Sequence, residues 1–243
     1  MLALLKREIS SFFSSIIGAL VISVFLLITG LFLWVLPGDL NIIFGGYASL
    51  ESLFYLAPWV YLFLVPAVTM RLFADERKMG TLDLLLTRPI SEMQIVLSKY
   101  LAGLILVAIS LLPTLLYVFS VVRLGNPVGN LDMGGTWGSY IGLFFLAAVY
   151  VAIGTFSSSL SDNQIVAFVI AVVLCFTFYT GFDSLAALPG LKSMSETIRM
   201  IGIDSHYSSV SRGVLDSRDI IYFLSLIFFF VFLTKFVLSN QKK

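Results

Sequence analysis

Six long apolar runs, nearly free of charge, set the terms for what this chain can become. They cover residues 16–36, 53–73, 95–122, 138–157, 164–187 and 219–238, and each is close to or above the ~20 residues that a helix needs to cross a bilayer. A backbone in hydrocarbon must satisfy its own polar groups, so such runs are expected to be helices. Only 12% of the 243 residues are charged and 59% are apolar, whereas a soluble domain is about a quarter charged. The expectation is an all-α polytopic membrane protein. Residues 53–73 contain Pro58 and Pro66 and residues 95–122 contain Pro113, which predicts bent or broken helices there.

What lies between the runs is short and polar. Met1–Ser15 mixes Leu2, Leu4, Leu5, Ile9, Phe12 and Phe13 with Lys6, Arg7 and Glu8, the make-up of a helix lying in the membrane interface. It does not read as a cleaved signal, because the apolar run that follows is too long and has no small-residue cleavage site. Residues 188–218 form the longest polar connection but keep Met194, Ile198, Met200, Ile201 and Ile203, which predicts one or two short helices dipping back toward the bilayer.

Residues 76–90 are a polar island with a small helix of its own. Thr81 reads as its N-cap and Asp83 as the carboxylate of its first turn, and Pro89 ends it by biasing Arg88 away from helix. Ser91 then opens the next helix, with Gln94 completing a capping box. Leu82, Leu85 and Leu86 share one face at helical spacing, near Arg77, Lys78 and Arg88. Such an element is either a docking handle for another protein or a solvated helix resting on the headgroups.

Even passage number puts both termini on one side. With the termini inside, ten of the fifteen basic residues fall on inner segments, Lys6, Arg7, Arg71, Arg77, Lys78, Arg88, Lys99, Lys235, Lys242 and Lys243. The excess matches the positive-inside rule and predicts a cytoplasmic face for residues 76–90.

Chemistry of the catalytic kind is scarce. His206 is the sole histidine, which excludes two-histidine zinc spacings. Asp204-Ser205-His206 is a poor triad and reads as a surface or loop histidine with neighbours. No phosphate-binding loop is present, and Cys175 sits in an apolar run as a small hydrophobe. No basic cluster suggests nucleic acid. The span centres carry no charge, which argues against a self-sufficient secondary carrier. A membrane channel-former without an engine, bearing a handle, implies an engine on another chain.

The pattern Glu76-x-x-x-Gly80-Thr81-Leu82-x-x-Leu85-Leu86-x-x-Pro89-Ile90-Ser91, followed by Ile95-Val96-Leu97-x-Lys99, resembles the signature of ABC-2 type transporter permeases. More narrowly, Leu5-Lys6-Arg7-Glu8-Ile9-x-Ser11-Phe12-Phe13 resembles the gliding-motility-associated permeases of the GldF type. The resemblance implies a single ABC-2 (type V exporter-like) transmembrane domain over 1–243. Its parts would be an elbow helix at 1–15, the six spans given above, a cytoplasmic coupling helix at 80–89 and an outer re-entrant hairpin at 188–218. It implies that Glu76, Arg77, Gly80, Thr81, Leu82, Leu85, Leu86, Arg88 and Pro89 dock on a separate cytoplasmic ABC ATPase, with Lys6, Arg7, Glu8 and Phe12 of the elbow close by. ATP and Mg would bind that partner and not this chain, which is not expected to be an enzyme. In the gliding assembly the ATPase would be GldA-like and a companion membrane subunit with a periplasmic domain would be GldG-like. Otherwise the second half of the core would be another copy of this chain, in a homodimeric exporter of lipid, polysaccharide or drug. Either way the implied location is a bacterial inner membrane, with both termini cytoplasmic.

Overall fold

Every apolar run folds as a helix, as the need to satisfy backbone groups inside a membrane requires. The computed structural model describes residues 1–87, 89–214 and 216–241. Arg88, Lys242 and Lys243 lie outside the described residues, as do the side chains of Leu86 and Gln241. The helices are α1 Leu2–Ser14, α2 Ile16–Gly30, α3 Ile42–Gly45, α4 Glu51–Thr69, α5 Arg71–Lys78, α6 Thr81–Leu86 and α7 Glu92–Leu111. There follow α8 Leu115–Leu124, α9 Met133–Leu160, α10 Gln164–Phe176, α11 Phe182–Ala186, α12 Ser195–Arg199, α13 Ile203–Val210 and α14 Ser217–Gln241. No strand occurs among the described residues. Six helical stretches are long and apolar enough to cross a membrane, Ile16–Val35, Glu51–Lys78, Glu92–Leu124, Met133–Leu160, Gln164–Ala186 and Ser217–Asn240.

Helix α9 is the axis of the bundle, packed by α4, α7, α10 and α14. Its Leu143, Leu146, Val149, Val151 and Ile153 have no exposed surface to speak of. Helix α1 lies along α7 and is cut off from α2 by Ser15, whose extended backbone (φ −97°, ψ 148°) turns the chain. Pro113 is absorbed by one 3-10 turn, Leu112–Thr114, between α7 and α8. Helix α4 runs through Pro58 and Pro66 and breaks only at Met70, one turn after the second proline. Beyond the break α5 continues as a polar extension.

Residues 133–137 read in sequence as a glycine-rich loop, yet α9 begins at Met133. Asp132 caps it by accepting from Gly135 N–H at 3.0 Å. The glycines are used for contact, since a Cβ on Gly138 would lie 2.7 Å from the backbone of Gly213. The start of α9 and the turn after α13 therefore meet backbone to backbone, which outweighs the poor helix propensity of glycine. Between the fifth and sixth spans, the polar connection is helical as expected, with Ile203, Tyr207 and Val210 of α13 buried.

His206 is no loop residue. It stands on α13, and its Nδ1 meets Asp219 Oδ1 of α14 at 2.7 Å. Its ring stacks on Tyr222 with centroids 3.9 Å apart. Asp204 takes no part in that pair and Ser205 donates to the Arg199 and Gly202 carbonyls, so the three side chains do not join as a triad.

Candidate functional site

The residues singled out in sequence converge at the end of the bundle where α1, α5, α6 and the start of α7 meet. Helix α5 ends in a turn that only glycine takes without strain. Gly80 has φ +66°, the left-handed region in which a Cβ is penalised. It closes α5 and stands as the residue before α6. Thr81 is consequently not the N-cap expected for it. It is the first helical residue, and its hydroxyl reaches back to donate to the Glu76 carbonyl at 3.2 Å. Asp83 does sit in the first turn of α6, and Ser91 and Gln94 form the reciprocal capping box of α7.

The leucine stripe of α6 divides. Leu82 and Leu85 are buried in the chain's own core, whereas Leu84 is 67% exposed, beside Met79 at 67%. Helical spacing identified an apolar face but not its owner. The outward apolar surface belongs to Met79 and Leu84, with Thr81, Asp83 and Pro89 also exposed.

Three consecutive polar residues of α5 face three different neighbours. Asp75 accepts a hydrogen bond from the Gln164 side chain at the start of α10. Arg77 donates to the Ser159 carbonyl at the end of α9; its guanidinium is thus turned inward and does not form a free rim. Glu76 joins a closed set of charges with α1 and α7. Arg7 Nη2 lies 2.6 Å from Glu8 Oε1 and 2.7 Å from Glu76 Oε1. Lys99 Nζ lies 3.3 Å from Glu8 Oε1 and 3.0 Å from Glu76 Oε2, and donates to the Leu72 carbonyl at 2.6 Å.

Lys99 is only 1% exposed, the residue that sequence reasoning undervalued. Its ammonium is tolerated because two carboxylates, a carbonyl and the face of Phe73 at 5.2 Å surround it. Partial burial works to lower the pKa of Arg7, but its contacts with Glu8 and Glu76 outweigh that, and the net direction is up. Phe12 is buried and carries the Arg71 guanidinium over its ring at 4.6 Å, while Lys6 points out, exposed. A cavity of about 460 Å³ opens between these elements, bounded by Arg7, Glu8, Glu76, Leu84 and Lys99 among others. Among the described residues no group of three or more His, Cys, Asp or Glu could hold a metal ion.

One ionic cluster ties α1, α5 and α7 together, and α6 follows directly from α5. A family model described as ABC-2 family transporter protein matches residues 61–238. That stretch holds α5, α6 and Lys99 and leaves out the elbow. No curated protein matches the chain.

Proposed function

The chain belongs to the ABC-2 family of transporter proteins, a family of membrane permease domains that are typically non-catalytic and generally work with a cytoplasmic ATPase, and from that premise we propose that α5 and α6 form the coupling element of a permease subunit. In this reading a separate ABC ATPase hydrolyses ATP with Mg, grips α6, and moves the spans through the Glu8–Glu76–Lys99 cluster. The observation that carries it is the exposure of Leu84 on α6 and of Met79 just before it, next to an α5 that is tied by ion pairs to α1 and α7. The membrane would be a bacterial inner membrane with both termini cytoplasmic, as the excess of basic residues on that side supports. The narrower version rests on the likeness of residues 5–13 to the gliding-motility permeases. It adds a GldA-like ATPase and a GldG-like companion, with transport or transmitted motion as the output. The same docking surface serves a homodimeric exporter equally well.

The test is a mild-detergent purification of the chain from native membranes, with co-purifying proteins identified and ATPase activity assayed, for the natural chain and Leu84→Asp. We expect an ABC ATPase with the natural chain, its loss from Leu84→Asp, and an unchanged unfolding temperature. Absence of any ATPase from the natural chain sinks the permease reading. Full retention by the variant moves docking off α6. Leu85→Asp is unsuited to this purpose, because Leu85 is buried in the chain itself.

A further inference from the structure

A second cavity, of about 350 Å³, lies at the opposite end of the long α4–α5 helix, between the start of α4, the fifth span and α13. Its walls are aromatic. Trp59 and Tyr179 meet with ring centroids 5.4 Å apart and planes at 87°, and Tyr179 and Tyr207 meet at 6.5 Å and 61°. Tyr55 completes the lining at the open side, 64% exposed. Tyr207 spends its hydroxyl on the Phe54 carbonyl at 2.7 Å, and it and Tyr179 are buried beneath the cavity as its floor. Tyr179 stands in a π-helical turn, Thr177–Gly181, a local insertion that re-aims side chains and recurs at functional positions.

Its charge is one-sided. Glu51 and Asp204 both line the cavity, and no lysine or arginine does. Among the described residues neither carboxylate has a basic group within 4.0 Å, and neither accepts a hydrogen bond at its side chain. Arg212 stands in an adjoining cavity that Glu51 also borders, and its Nε donates to the Ser208 carbonyl at 2.9 Å. Partial burial, and then the charge of Asp183, push the Asp204 carboxyl up from its ordinary value.

We infer that this cavity binds an organic cation with an apolar body, of tetraalkylammonium size, held against Tyr55 and Trp59 over a floor of Tyr179 and Tyr207 and neutralised by Glu51 and Asp204. Cations are drawn to aromatic faces, most strongly where water is excluded, and an anion would meet two unbalanced carboxylates. The inference goes beyond the permease reading and does not depend on it, since no ATPase takes part in binding.

The experiment uses the full chain in polyoxyethylene detergent micelles and radiolabelled tetrapropylammonium in a scintillation-proximity assay. Saturable binding is expected, displaced by unlabelled probe and not by the neutral oligosaccharide cellohexaose. The double variant Glu51→Gln/Asp204→Asn should weaken binding about tenfold or more, and Trp59→Leu several-fold, the scale of one to two cation–π and ionic contacts. Arg212→Gln should leave it unchanged. Unfolding temperatures measured alongside show that each variant is folded. Absence of saturable binding to the natural chain overturns the inference, as does natural-strength binding by the double variant. Displacement by cellohexaose would replace the cation with a carbohydrate.

Discussion

Glu51 and Glu76 stand at opposite ends of one long helix, and they keep opposite company. Glu76 is met by Lys99 at 3.0 Å and by Arg7 at 2.7 Å; Glu51 meets no base within 4.0 Å among the described residues. At the α1 end, charge is consumed in holding three elements together. At the α13 end, the holding is done by backbone contact of Gly138 with Gly213 and by the buried face of α13, and the carboxylates are left over. One kind of side chain is structural where its counter-charge is built in and available where it is not.

The sharpest way to break this contrast is Lys99→Met. It leaves Glu8 and Glu76 inside with Arg7 as their one remaining base, and removal of one partner from a buried pair costs about 3–5 kcal/mol. A large fall in unfolding temperature in detergent is the expected reading; an unchanged temperature would mean that the cluster holds nothing. Next comes Gly138→Val, aimed at the α13 end. The added side chain has no room against Gly213, and overpacking of this kind costs about 1–3 kcal/mol. Faster protease cleavage within residues 195–214 checks whether the loss is local to that end. The smallest effect belongs to Asp204→Asn, within about 0.5 kcal/mol at neutral pH as for a side chain without partners. Its signature is in pH dependence. The folded carboxyl has its pKa raised by burial and by Asp183, so the folded state holds the proton more tightly than the unfolded one. Stability from this group therefore rises as pH falls through the raised value and is complete below the ordinary one. Thermal unfolding across that window should show the gain in the natural chain and a smaller one in Asp204→Asn.

Much of the fold was legible because membrane burial and capping are local rules. Six apolar runs gave six helices, and Ser91 with Gln94 formed its box as spacing predicts. The misread elements depend on distance in the chain. Leu82 and Leu85 show their periodicity in sequence, but whether the stripe meets its own bundle or a partner is decided by tertiary packing. Lys99 pairs with Glu8 from 91 residues away, a relation that no window of sequence contains. Residues 133–137 carry a loop's composition and became helix through their contact with Gly213. Thr81 carries a cap's chemistry and was displaced from the role by the left-handed Gly80 beside it.

The break at Met70 has a geometric consequence. Ser158 of α9 bridges it, accepting from the Phe73 and Ala74 amides at 2.9 and 3.2 Å and donating to the Met70 carbonyl at 2.7 Å. One hydroxyl thus takes the place of the missing helical bonds, and the eight residues of α5 extend beyond it. At 1.5 Å per residue that extension is about 12 Å long, so a swing of about 10° displaces its tip by about 2 Å. That is comparable to the reach of a hydrogen bond, so a rotation of this size at Met70 would be enough to break the contacts that Asp75, Glu76 and Arg77 make at the tip.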